Sequence, residues 1–119
     1  KIIGISVKDN KKDQEEKVFN LAKKCCAYIK CSQPSSEDIV VFDDYVGKGY
    51  GIPTEGMKHA LKLMARKEAI LLDPVYSGKC FDGLINLINK KYFNNSDSIL
   101  FLHTGGSASL SAYEWAFQK

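Results

Sequence analysis

Two tyrosines, a threonine and a glycine pair are the residues of this sequence best suited to shared chemistry. Tyr50 lies in Asp43-Asp44-Tyr45-Val46-Gly47-Lys48-Gly49-Tyr50-Gly51-Ile52-Pro53. Tyr76 lies in Asp73-Pro74-Val75-Tyr76-Ser77-Gly78-Lys79, and Thr104 in His103-Thr104-Gly105-Gly106. A phenol has a reference pKa of about 10, so it is a poor base unless a nearby cation or donor lowers it. Two phenols in one site can tune each other and exchange a proton with a substrate. A threonine hydroxyl can donate to a ring nitrogen without giving it a full positive charge. Glycines let the backbone come close to a flat molecule. Each piece also has a plainer reading. The tyrosines are then half-buried aromatics, Thr104 a helix cap, Gly105-Gly106 a tight turn and Lys79 a solvated helix start.

The elements that would position these residues alternate. Ile2 to Val7 is a short, nearly continuous apolar run, as in a buried parallel strand. Asp13-Gln14-Glu15-Glu16 then reads as an acidic capping box. Val18, Leu21, Ala22, Cys25, Cys26 and Ile29 follow at helical spacing, with both cysteines on the core side. Ile39 to Phe42 is the second strand. Thr54 caps the next helix, with Glu55 in its first turn and Met57, Ala60, Leu61 and Met64 along one side. Ala69 to Leu72 is the third strand. The helix after it carries Phe81, Leu84, Ile85, Ile88 and Tyr92. Ser98 to Leu102 is the fourth strand, and a short last helix reaches Trp115 and Phe117.

The order β-α-β-α-β-α-β-α predicts an α/β fold with an open, mostly parallel sheet. In such sheets ligands bind beyond the carboxyl ends of the strands. The three loops carrying Tyr50, Tyr76 and Thr104 all leave strand ends, so parallel strands bring them to one edge. Asp43-Asp44 at a strand end also fits a second reading, a stand-alone α/β binding module holding Mg²⁺ on carboxylates.

Composition narrows the classes. The 119 residues are 45% hydrophobic and 26% charged, an ordinary globular balance that predicts one domain over 1–119. The net charge is +3, and Arg66 is the single arginine, which argues against a nucleic-acid partner. No apolar run is long enough to span a membrane as a helix. The four cysteines form no C-x-x-C pair, and free thiols in a reducing, cytoplasmic setting are expected. The sequence starts at Lys1 and enters directly on an apolar run. The expectation is a piece of a longer chain.

Three segments together carry a family resemblance: Asp43 to Gly56, Leu71 to Lys79 and Phe101 to Gly106. They resemble the D-cysteine desulfhydrase / 1-aminocyclopropane-1-carboxylate (ACC) deaminase family. Its members are pyridoxal-phosphate (PLP) enzymes of fold type II, the tryptophan-synthase-β type. The resemblance runs in order along essentially the whole chain. It implies the C-terminal part of a longer enzyme that takes a small amino-acid substrate and is a homodimer when intact. It implies that Tyr50 and Tyr76 face the substrate and help move protons. Thr104 matches the residue that bonds the pyridine nitrogen of PLP in the desulfhydrase branch, and Gly105 lies at the cofactor wall. Ser77, also on the cofactor side, stands where the deaminase branch carries a glutamate. That difference favours D-cysteine desulfhydrase over ACC deaminase. The family's Schiff-base lysine and phosphate loop have no match here, and Lys79 is not at the lysine's position. This piece alone is therefore expected to be inactive. No metal site is expected.

Overall fold

The computed structural model describes residues 1–118. Strand β1 (Ile2–Ile5), helix α1 (Lys11–Ile29) and a 3₁₀ turn (Ser36–Asp38) come first. Strand β2 (Ile39–Phe42), helices α2 (Glu55–Glu68) and α3 (Ser77–Asn89) and a 3₁₀ helix (Ser107–Phe117) follow. β1 and β2 pair in parallel, in register from Ile2 opposite Ile39 to Ile5 opposite Phe42. This is the α/β arrangement expected from the alternating pattern, with α1 as the crossover between parallel strands.

Helix starts follow local side-chain chemistry. Asn10 caps α1 by accepting from the Asp13 N–H at 3.0 Å. Asp43, just past β2, accepts from the Lys11 N–H at 2.7 Å. Two of the orphan donors at the helix start are thereby satisfied, so α1 begins ahead of the acidic box that the sequence suggests. Thr54 caps α2 through the Met57 N–H at 3.2 Å, as expected. Glu55 opens α2, and Arg66 and Lys67 close it, each charge at the end of the helix dipole that favours it.

The core gathers Met57, Leu61 and Leu72, with Met64, Phe81, Phe101, Leu110 and Phe117 packed around them. α3 reaches this core through its glycines. A Cβ on Gly78 would lie 2.6 Å from the Asp73 carbonyl oxygen and would also strike Leu61. A Cβ on Gly83 would lie 2.6 Å from Ile5 Cδ1. The buried face of α3 is thus Ser77, Gly78, Lys79, Gly83 and Leu87, while Ile88 is exposed.

Several expectations are corrected. Ala69–Leu72 and Ser98–Leu102 are not strands among the described residues. A strand needs a partner ladder, and no neighbouring strand pairs with either segment. Leu71, Leu100 and Leu102 are accordingly exposed. The last helix is 3₁₀ rather than α. Cys25 is exposed and Cys26 half-buried, because α1 buries no residue among those described.

Gly78 yields a sign reversal that can be measured. In an open helix, Gly→Ala stabilises by about 0.5–1 kcal/mol. Here the added methyl meets backbone, so Gly78→Ala should destabilise the full-length protein by about 1–3 kcal/mol. Urea unfolding should show a lower midpoint at unchanged slope.

Candidate functional site

The site is organised around one buried carboxylate. Asp73 is 1% exposed. Its Oδ2 accepts from the N–H groups of Val75 and Tyr76, at 2.8 and 2.7 Å. Its Oδ1 accepts from the Ser77 N–H at 2.7 Å and from the Ser77 hydroxyl at 2.6 Å. The Ser77 hydroxyl in turn accepts from the Asp73 N–H at 2.8 Å. Burial alone would raise the Asp73 carboxyl. The Ser77 hydroxyl and the three backbone N–H groups outweigh burial and hold it below the usual aspartate range.

This ring of bonds fixes the residue at which α3 begins. Tyr76 stands there, about half exposed, and its hydroxyl hydrogen-bonds the hydroxyl of Tyr50. The two rings meet edge-on, with centroids 6.0 Å apart and planes at 63°. The bond from Tyr50, then partial burial and Asp73, push the Tyr76 phenol above its ordinary value. Tyr76 therefore keeps its proton at neutral pH and can donate it.

Tyr50 is carried by a loop with three glycines at positive φ: Gly47, Gly49 and Gly51. Lys79, at 0% exposure, reaches under this loop from α3. Its ammonium donates to the carbonyls of Val46, at 2.7 Å, and Gly49, at 3.2 Å. The solvated helix start suggested for Lys79 is thereby corrected. On the other side of Tyr50, the Tyr113 hydroxyl donates to the Gly51 carbonyl at 2.9 Å.

The third loop locks onto the second. His103 Nδ1 accepts from the Gly105 N–H at 3.0 Å, which leaves Nε2 to carry the proton to the Leu71 carbonyl, also at 3.0 Å. Gly106, at φ +90, packs so closely on Asp73 that a Cβ would lie 2.9 Å from the carboxyl carbon. Thr104 is exposed. Gly105, at φ +93, has no atom within 4 Å of where a Cβ would stand.

The structure thus joins Tyr50 to Tyr76 directly and braces the Thr104–Gly105 loop on the same Asp73. Ser77 is 3% exposed, and its hydroxyl is committed to Asp73. The sequence reading missed Asp73, Lys79, His103 and Tyr113 as the residues that hold the site. The signal for Asp73 was present: an aspartate before a proline, with a serine four residues on, favours a turn closed by its own side chain. Asp43 caps α1, and no group of three metal-ligating side chains occurs among the described residues.

An aspartate held below its usual pKa stabilises the fold above the unfolded value of about 3.9 and loses that effect as pH falls through the folded value. Asp73→Asn in the full-length protein should cost on the order of 1–3 kcal/mol at pH 7. The gap from wild type in urea midpoints should narrow as the pH is lowered below about 3.9.

Residues 1–105 match the family model of pyridoxal-phosphate dependent enzymes. A crystal structure described as that of an ACC deaminase homologue is 30% identical and superimposes with a TM-score of 0.75. The match covers 90% of this chain and 32% of that one, so the chain spans about a third of that protein's length. The fold is accordingly part of the fold-type II PLP architecture. The residues present fit the cofactor. The open face of Gly105 admits a flat ring, and the exposed Thr104 hydroxyl is free to turn towards a ring nitrogen. By the match over residues 1–105, this chain belongs to the pyridoxal-phosphate dependent enzymes.

Proposed function

We propose that this chain is the substrate-facing part of a PLP-dependent lyase that acts on D-cysteine. D-cysteine and water would yield pyruvate, hydrogen sulfide and ammonia. The observation that carries the reading is the hydrogen-bonded Tyr50–Tyr76 pair, exposed beside an open glycine loop. PLP, when bound, supplies the electron sink that makes the substrate's α-proton acidic. Thr104 would hold the pyridine nitrogen with a neutral hydroxyl, and Gly105 would line the ring. Tyr76, which keeps its proton, would hand it to the departing thiolate, and Tyr50 would orient Tyr76 for that transfer.

Ser77 supports the desulfhydrase branch. The resemblance places a deaminase glutamate at this position, and here a short hydroxyl turns inward to Asp73. No carboxylate stands next to Tyr76 in the chain on that side. The ACC deaminase homologue among the structural relatives keeps deamination of ACC as the second reading.

The reading is for a longer enzyme whose upstream part brings the Schiff-base lysine and the phosphate loop. The exposure of Leu100 and Leu102, at 89% and 74%, supports such a covering segment. A homodimer and a cytoplasmic setting belong to the same proposal. The four unpaired cysteines suit a reducing compartment. No helix among the described residues is long and apolar enough to cross a membrane.

The test is an assay of the full-length, PLP-loaded protein on D-cysteine and on ACC. Sulfide and pyruvate from D-cysteine are expected. A 2-oxo acid released from ACC alone would assign the deaminase branch, and no turnover of either would leave a binding role. Tyr76→Phe should lower kcat by about 100-fold or more, in the range general acid catalysis supplies, with the cofactor absorbance retained. Unchanged turnover would remove Tyr76 from the proton path.

A further inference from the structure

Lys79 is the largest side chain that is fully buried in the structure. The ion pairs among the described residues use Lys11, Lys17 and Lys58, and none includes Lys79. Its partners are backbone carbonyls of Val46 and Gly49, the latter immediately before Tyr50. An ammonium buried without a counter-ion stabilises a fold less than an apolar side chain of the same length would. What the ammonium adds is several donors on one atom, able to grip two carbonyls at once. Between those carbonyls lies a turn with glycines at φ +68 and +149, which has little stiffness of its own.

We propose that Lys79 is a positioning residue: its buried ammonium grips the Val46 and Gly49 carbonyls and thereby sets Tyr50 against Tyr76. The inference rests on the reading that this tyrosine pair serves the substrate. Lys79 lies two residues beyond Ser77, within the first turn of α3. Tyr76 heads that same helix and Tyr50 hangs from the loop the helix grips, so both hydroxyls are referenced to one rigid element. Burial lowers the Lys79 ammonium from its usual range, and the two carbonyl bonds keep it in place. Lys79 touches neither reacting atom nor cofactor in this account. It acts through the backbone of residues 46–49.

The test uses the full-length, PLP-loaded enzyme and a double-mutant cycle. Lys79→Met keeps the length of the side chain and removes its donors. The expected result is a folded enzyme with an unchanged cofactor spectrum and kcat lowered by about 10–100-fold, as misplacement of a reacting group brings. In a Tyr50→Phe background the same substitution should lower the residual kcat less than about twofold, because coupled residues are non-additive. An equal loss in both backgrounds, or no loss in either, would overturn the positioning role. If Lys79→Met does not fold, Lys79→Leu, which likewise has no donor, carries the same cycle. Failure of both to fold would assign Lys79 to stability alone. The underlying reading fails separately: full activity in both Tyr50→Phe and Tyr76→Phe would remove the pair from catalysis whatever Lys79 does.

Discussion

One ionised carboxylate, sealed from water, constrains the loops around the tyrosine pair. Removing a charge from solvent is costly, and only well-placed donors offset it. Asp73 obtains them from the backbone N–H groups of Val75, Tyr76 and Ser77 and from the Ser77 hydroxyl, so the chain around it is tightly constrained. That shape starts α3, where the unpaired N–H groups and the helix dipole both favour a negative charge. It also leaves space on one side of Asp73 that only a glycine fills, and Gly106 occupies it. The geometry of two separate loops therefore descends from one side chain.

The opposite charge appears a turn later, and it is satisfied in the same manner. Asp73 and Lys79 do not pair with each other. Each is solvated by main-chain dipoles, one by N–H groups and the other by carbonyls. Main-chain dipoles move less than side chains, so the frame behind the two tyrosines is rigid. Tyr50 and Tyr76 are the half-exposed part of this arrangement, and the residues behind them are held by hydrogen bonds.

Much of this was legible in the sequence where the cause is local. Asn10 and Thr54 act through donors two or three residues away, and the parallel β1–β2 pair follows from two apolar runs bridged by a helix. The nearness of the Tyr50 and Tyr76 loops was also legible, although the Tyr76 and Thr104 loops leave no strand among the described residues. What escaped depends on neighbours far along the chain. Ala69–Leu72 looks as strand-like as Ile39–Phe42, but a ladder is a property of two segments, and its composition says nothing of the second. Lys79 reads as surface because lysines usually are, and its carbonyl partners lie 33 and 30 residues earlier. The glycines of α3 read as weak points in a helix pattern, whereas their role is to let Ile5, Leu61 and the Asp73 carbonyl come close.

The two apolar segments without ladders have a consequence for how the enzyme comes into being. Leu100 and Leu102 stand exposed on a stretch that joins no backbone ladder among the described residues. An exposed apolar stretch of this kind can pair with another segment of its own polypeptide or with a second copy. The first encounter is intramolecular and independent of concentration, while the second quickens as copies accumulate. Such stretches make cross-pairing between copies a hazard that grows with expression level.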